Sequence, residues 1–126
     1  MGGDRGHVVM IVEDDADARS ILEELVRDEG FATLTAANGL EALQQLEAAK
    51  QRELPCLILL DMMMPVLDGP GFRAVQRVDP VLAEIPVVVV TAHGNAREVA
   101  RTLHAAGFVQ KPFDFDSLLD IIRAHC

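Results

Sequence analysis

Leu57-Ile58-Leu59-Leu60-Asp61 is the stretch on which the reading of this chain turns: four apolar residues in unbroken succession, closed by a carboxylate. With Cys56 before it, the run is too short for a helix and lacks the alternation of a half-exposed strand. It predicts a strand buried on both faces. Val8-Val9-Met10-Ile11-Val12 repeats the pattern and leads into Glu13-Asp14-Asp15. Val87-Val88-Val89-Val90, entered through Pro86 and closed by Thr91, is the strongest strand signal of all, because β-branched residues suit a pleated, packed surface. Residues 31–36 read as a second strand, and Phe108-Val109-Gln110 as a last short one running into Lys111-Pro112.

The segments between these runs switch to helical periodicity. Over residues 17–29, Ala18, Ile21, Leu22 and Leu25 recur at helical spacing, and Gly30 stands where a helix ends. Asn38 is placed to cap a helix with Leu43, Leu46 and Ala49 inward, finishing before Pro55. A Pro- and Gly-punctuated loop over residues 62–69 precedes a helix with Phe72 and Val75 inward. Residues 95–106 predict a fourth helix, with Val99, Ala100 and Leu103 inward and Gly107 as its stop. Residues 114–125 close the chain as a helix with Phe115, Leu118, Leu119 and Ile122 on one face.

Five strand–helix units with strands apolar at every position require helices on both faces of a parallel sheet. The expected fold is therefore α/β: a flavodoxin-like (βα)5 three-layer sandwich with strand order 2-1-3-4-5. No linker, repeat or low-complexity segment interrupts it. One domain is expected over residues 1–126, with its core at about 7–124.

Composition narrows the function. Half of the 126 residues are hydrophobic and a quarter charged, a globular balance. No apolar run reaches the ~20 residues that span a bilayer, and residues 1–7 lack the basic-then-apolar order of a signal peptide, so a cytoplasmic protein without membrane contact is expected. A net charge of −9 with no basic stripe argues against direct nucleic-acid binding, yet suits a divalent cation if the carboxylates cluster. Cys56 and Cys126 have no motif spacing, which argues against zinc and against a disulfide; Cys56 is expected to pack as a small hydrophobe and Cys126 to be solvated. His7, His93, His104 and His125 share no ligand spacing and read as surface residues, with His93 near the rim of any site that uses Thr91.

The polar residues at the strand ends carry the chemistry. Glu13 and Asp14 follow the first strand, Asp61 ends the third, Thr91 the fourth, and Lys111 follows the fifth. In a parallel sheet these ends share one edge, where α/β folds bind their ligands. Three carboxylates, a hydroxyl and an ammonium brought together there suit Mg²⁺ and a phosphoryl group. Mg²⁺ takes hard oxygen ligands, and phosphoryl transfer needs positioning and neutralised charge more than covalent help. Each residue alone has a plainer reading: acids at a helix start, a turn Asp before Pro65, a strand-end Thr, a solvated Lys. Their convergence favours the site.

Ile11-Val12-Glu13-Asp14-Asp15, Asp61-Met62-Met63-Met64-Pro65-Val66-Leu67-Asp68-Gly69, Thr91-Ala92 and Lys111-Pro112-Phe113 together resemble the response-regulator receiver family of two-component systems, in order and over nearly the whole chain. The resemblance implies that Asp61 is the phosphoacceptor, supplied by a sensor histidine kinase or a histidine phosphotransfer protein. It implies that Mg²⁺ (or Mn²⁺) is held by the carboxylates of Asp14 and Asp61, by the backbone carbonyl of Met63, and by Glu13 through water. Thr91 and Lys111 would contact the phosphoryl group, Thr91 and Phe108 would form the switch, and the Lys111-Pro112 bond would be cis. Such a domain assists its own phosphorylation and dephosphorylation without being an enzyme by purpose. It would act on an output partner through its fourth helix, fifth strand and fifth helix.

The chain departs from the family in three places. Glu13 replaces the commoner Asp, Phe108 stands where Tyr is frequent, and the stretch from Gly107 to Lys111 is a couple of residues short. Other functions fit less well. An aspartate-nucleophile phosphatase needs a second acid where Met63 stands, and a flavin carrier needs a phosphate-cradling loop where Glu13-Asp14-Asp15 stand. The alternative within the same fold is a receiver-like interaction module that works without phosphorylation, which normally lacks an acid or the Lys that this chain keeps.

Overall fold

The computed structural model describes residues 7–92 and 94–126. The elements alternate along the chain as β1 (Val8–Val12), α1 (Ala16–Asp28), β2 (Ala32–Ala36), α2 (Gly39–Ala49), β3 (Leu57–Asp61), α3 (Gly69–Val78), β4 (Val87–Thr91), α4 (Ala96–Thr102), β5 (Gly107–Gln110) and α5 (Phe115–His125), with a short 3-10 turn at Leu82–Glu84. The five strands are parallel and ordered β2-β1-β3-β4-β5, the flavodoxin-like arrangement that the alternation predicts.

Two hydrophobic clusters, one on each face, make the three layers. Val9, Ile11, Leu57, Leu59, Val88 and Val90 pack with Leu22 and Val26 of α1 and Leu118 and Ile122 of α5. Their neighbours Met10, Val12, Ile58, Leu60, Val87 and Val89 point the other way, against Ala42 and Leu46 of α2, Phe72 of α3 and Ala100 of α4. β1, β3 and β4 thus split their side chains between two cores, which is why their sequences run apolar almost to the end.

Side-chain caps start the helices. Asp15, Asn38, Asp68 and Asp114 accept hydrogen bonds from the first-turn amides of α1, α2, α3 and α5. Gly30, at φ 98°, takes the left-handed turn that ends α1.

The structure corrects several expectations. Ile21 is exposed rather than inward; Leu22 and Val26 carry the buried stripe of α1. Val75 is exposed too, and the α3 positions buried in its place are polar: Arg73 and Gln76. Arg73 donates from Nε to the Leu103 carbonyl (2.9 Å), from Nη2 to the His104 carbonyl (2.8 Å) and from Nη1 to Gln76 Oε1 (2.8 Å). Gln76 Nε2 in turn donates to the carbonyls of Leu82 (2.8 Å) and Ile85 (3.1 Å).

That network also explains why α4 stops at Thr102 instead of running to 106. Arg73 takes the carbonyls at its end, His104 turns left-handed (φ 55°), and the Ala106 amide already donates to Val87 of the sheet. Gly107 is consequently the first residue of β5, not a helix stop.

Cys56 and Cys126 are joined as a disulfide, with their Cα atoms 5.5 Å apart. The expectation of two separate thiols, one of them solvated, fails because α5 returns antiparallel to β3 and brings the chain's last residue to the start of that strand. Cys126 is half-buried against the α1/α5 cluster. Spacing along the chain cannot register a meeting across 70 residues.

Arg73→Met keeps the aliphatic stem but strips the Leu103, His104 and Gln76 oxygens of a charged donor, and should destabilise the fold by about 3 kcal/mol. Urea unfolding measures this; a loss below ~1 kcal/mol would mean that water replaces the guanidinium.

Candidate metal and phosphoryl site

Strand register gathers the polar residues. Val12 pairs with Leu60, so Glu13 stands level with Asp61. Asp61 pairs with Val90, and Thr91, one residue on, pairs with Gln110. Lys111 follows Gln110, and its amide donates to the Thr91 carbonyl at 2.8 Å. Four residues, the first and last separated by 98 in sequence, thereby reach one edge of the sheet.

Carboxylate oxygens of Glu13, Asp14 and Asp61 all lie within 4.8 Å of one another. Glu13 is 3% exposed and Asp61 8%, whereas Asp14 is open to solvent. Lys111 Nζ donates to Glu13 Oε1 at 3.0 Å, and the Asp15 amide donates to Glu13 Oε2 at 3.1 Å. Arg19 Nη1 donates to the Glu13 carbonyl at 2.8 Å, tying the first turn of α1 to the end of β1.

The electrostatics follow from this packing. Burial, then the charge on Glu13, pushes the Asp61 carboxyl up to about 7; Lys111 opposes the rise, while a hydrogen bond with Asp14 and its charge add to it. Burial alone would lower the Lys111 ammonium, but its hydrogen bond to Glu13 and the charges of Glu13, Asp61 and Asp14 outweigh that and raise it. One lysine serves three acids. The shortfall in positive charge, combined with an all-oxygen donor set, fits a hard divalent cation such as Mg²⁺.

The loop after Asp61 shapes the site's mouth. Gly69 packs on the backbone: a Cβ there would come within 2.9 Å of Met62 Cα and 3.0 Å of the Asp61 carbonyl oxygen. Only glycine lets α3 begin so close to the acid. Val66 sits at φ 69°, a left-handed conformation that strains a β-branched residue, with the Leu67 amide donating to the Pro65 carbonyl across it. Asp14, Met62, Met63, Met64, Pro65 and Asp68 line a cleft of about 340 Å³. Met62 and Met63 also border a cleft of about 600 Å³ that reaches Thr91, Gly94, Asn95 and Val99.

Thr91 is buried at the end of β4. Phe108 is half-buried, and the Arg97 guanidinium lies over its ring, 5.3 Å from the centroid. The Lys111-Pro112 peptide is cis. His93, placed by the sequence near this rim, lies outside the described residues. His104 and His125 are exposed, and His7 is half-buried.

Sequence reasoning missed the Lys111–Glu13 ion pair, the Arg97–Phe108 stack and the anchoring role of Arg19. The first two are contacts between elements with no local signal. Arg19 lies one helical turn beyond its Asp15 cap, so its reach back to Glu13 follows once α1 is given.

Comparison with known proteins agrees with this geometry. The family described as "Response regulator receiver domain" matches residues 9–123. Sporulation initiation phosphotransferase F of Bacillus subtilis is 34% identical over 119 residues, covering 93% of this chain and 91% of that protein. The probable transcriptional regulator ycf27 of Guillardia theta is 37% identical over 118 residues, covering 92% of this chain but only 44% of its own length. Among solved structures, the receiver domain of the Pseudomonas aeruginosa sensor histidine kinase PA1611, which has a magnesium ion coordinated in its active-site cleft, superposes with a TM-score of 0.83. It is 26% identical and covers 95% of this chain and 97% of that one. The response regulator TrrA of Thermotoga maritima, in complex with Mg²⁺ and BeF, gives a TM-score of 0.82 at 26% identity, covering 95% and 99%. The chain belongs to the response-regulator receiver domain family, a class of signalling modules. Among the described residues, no helix is long and apolar enough to cross a membrane.

The raised Asp61 carboxyl gives stability a pH dependence of definite sign. In the fold it keeps its proton up to about 7, whereas in the unfolded chain it loses it near ~3.9. Between these values the native state binds more protons, so this contribution falls as pH rises. Asp61→Asn should remove a slope of up to about 1.4 kcal/mol per pH unit across roughly pH 4 to 7, measured by urea unfolding in a chelator. A slope unchanged by the substitution would place the titration elsewhere.

Proposed function

We propose that residues 1–126 act as one receiver domain, in the cytoplasm, taking a phosphoryl group from a phosphohistidine donor onto Asp61 and passing the change to a partner. The observation that carries this reading is the three-carboxylate cluster beside Lys111 at the end of β3. The donor is a sensor histidine kinase or a histidine phosphotransfer protein, and the output partner contacts the face built from α4, β5 and α5.

The carboxylates of Asp14 and Asp61 would hold Mg²⁺, with the backbone carbonyl of Met63 and, through water, Glu13. When bound, the cation neutralises charge on the phosphoryl oxygens and lets Asp61 react as a carboxylate at neutral pH. An Asp61 oxygen attacks phosphorus in line; the P–N bond of the phosphohistidine breaks and the imidazole leaves with a proton. Lys111, paired with Glu13 at 3.0 Å, supplies compact positive charge beside the transferred group. Thr91 donates its hydroxyl to a phosphoryl oxygen. Water later attacks the same phosphorus, so the domain assists its own dephosphorylation and is no enzyme by purpose.

The switch follows from Thr91. Its movement toward the phosphoryl group opens room at the end of β4, Phe108 turns inward, and its stack with Arg97 of α4 breaks. The consequence is a remodelled α4–β5–α5 surface.

Acetyl phosphate with Mg²⁺ should add one phosphoryl group to the chain by intact mass, and Asp61→Asn should abolish it. An equal product in the variant would overturn the assignment.

Asp14 offers a second check. Its charge helps raise Asp61, so Asp14→Ala should stabilise the metal-free protein and erase most of the rise in melting temperature that millimolar Mg²⁺ produces. An Asp14 serving as a plain helix-start acid would instead lose ~1 kcal/mol on removal. Thermal melts of both proteins, with and without Mg²⁺, separate the two.

A further inference from the structure

The disulfide between Cys56 and Cys126 stands at the edge of the sheet opposite Asp61. Cys56 immediately precedes β3, and the strand carries the chain about 16 Å from there to the acid. Cys126 caps the C-terminus of α5, its amide donating to the Ile122 carbonyl at 2.9 Å. We propose that this pair is a reversible thiol–disulfide site, a second place of covalent modification whose state ties or frees the last turn of α5.

Three observations carry it. Both cysteines are half-buried rather than sealed in the core, so a small thiol or disulfide can reach them. The fold is held without the bond. Leu118, Leu119 and Ile122 bury α5 against the sheet, and the two clusters fill both faces, so opening the bridge releases the end of α5 and not the core. The reduced form is also accommodated, because Cys56 Sγ lies 3.2 Å from the Val8 carbonyl oxygen, an acceptor for the thiol hydrogen. In a cytoplasmic protein a disulfide of this kind belongs to the transient, redox-sensing class.

The reaction is a two-electron exchange with a low-molecular-weight disulfide such as oxidised glutathione. One cysteine thiolate attacks a glutathione sulfur and releases one glutathione thiolate. The second cysteine thiolate then attacks the mixed disulfide, forming the Cys56–Cys126 bond and releasing the other. The protein loses two hydrogens and two molecules of reduced glutathione form.

The bridge closes a loop of sequence separation 70, which holds β3 and every element after it. In the oxidised state the end of α5 is tied to the base of β3; in the reduced state it is held by packing and by the exposed Arg123–Glu29 pair at 3.1 Å. The effect on signalling rests on the proposed output role of the α4–β5–α5 face; the thiol chemistry does not.

The full chain, equilibrated in glutathione buffers of increasing oxidised fraction, would be trapped with iodoacetamide and weighed intact. Reduced protein should take two labels. Oxidised protein should take none and weigh two hydrogens less, and dithiothreitol without denaturant should restore both labels. Amide exchange over residues 121–125 should be about tenfold slower in the oxidised form, a difference in local opening that Cys126→Ser abolishes. Two labels in the most oxidising buffer, persistent double glutathione adducts, or a bond that dithiothreitol cannot open in the folded protein would each overturn the site. Exchange that ignores redox state would overturn the control of α5. Acetyl phosphate labelling of Asp61 in both redox forms is read separately, so its failure would count against the phosphoacceptor reading alone.

Discussion

A parallel sheet buried on both faces has nowhere to keep a polar side chain except at its ends. That constraint organises the molecule. The central strands spend every residue on two hydrophobic clusters, and the acids, the threonine and the lysine are driven to the edge where the strands stop. The strand ends therefore assemble most of the site, and the loops that follow β1 and β3 add Asp14 and the mouth of the cleft. Register alone sets Glu13 level with Asp61, Thr91 one residue past Asp61's partner Val90, and Lys111 one residue past Thr91's partner Gln110.

The same burial makes the site electrostatically unfinished. Asp61 is closed in by β1 and β4 and faces a second buried carboxylate across the strand ends, so it keeps a proton to about neutrality. Lys111 is committed to Glu13, where a 3.0 Å hydrogen bond and three nearby acids keep it charged. Aspartates with so little compensation attract a divalent cation, and Mg²⁺ suits them because it tolerates few protein ligands and retains water. In the proposed function this tension couples metal, phosphoryl group and fold: each addition changes the charge balance around one strand end.

In the proposed function, how such a change travels depends on α4, the shortest α-helix among the described residues. Its start borders the larger cleft beside Thr91 through Asn95 and Val99, and its end is held by the Arg73 guanidinium of α3. Between them Arg97 lies over Phe108. The helix is thus pinned at its far end by side-chain hydrogen bonds, while its start packs through Ala96 and has no side-chain cap. A rotation of Phe108 would alter α4 most where the proposed partner face begins. Arg73 and Gln76 use buried hydrogen bonds where an apolar pair would pack: Arg73 fixes α3 against the end of α4, and Gln76 braces Arg73 and ties α3 to the turn at Leu82–Ile85.

Much of this was determined by the sequence alone, because a doubly buried strand has an unmistakable signature. Leu57 to Asp61 and Val87 to Thr91 announced their strands, and with the helices between them the topology and the meeting of Glu13, Asp14, Asp61, Thr91 and Lys111 followed. The tertiary structure decided what periodicity cannot register. Val75 fits the helical stripe as well as Phe72 does, yet Arg73 and Gln76 are buried instead, since the end of α4 offers Arg73 carbonyls to bond and the turn at Leu82–Ile85 does the same for Gln76. The length of α4, the stack of Arg97 on Phe108 and the joining of Cys56 to Cys126 belong to the same kind. Each depends on two segments distant in sequence arriving side by side, and a local pattern carries the preference of one segment without the identity of its neighbour.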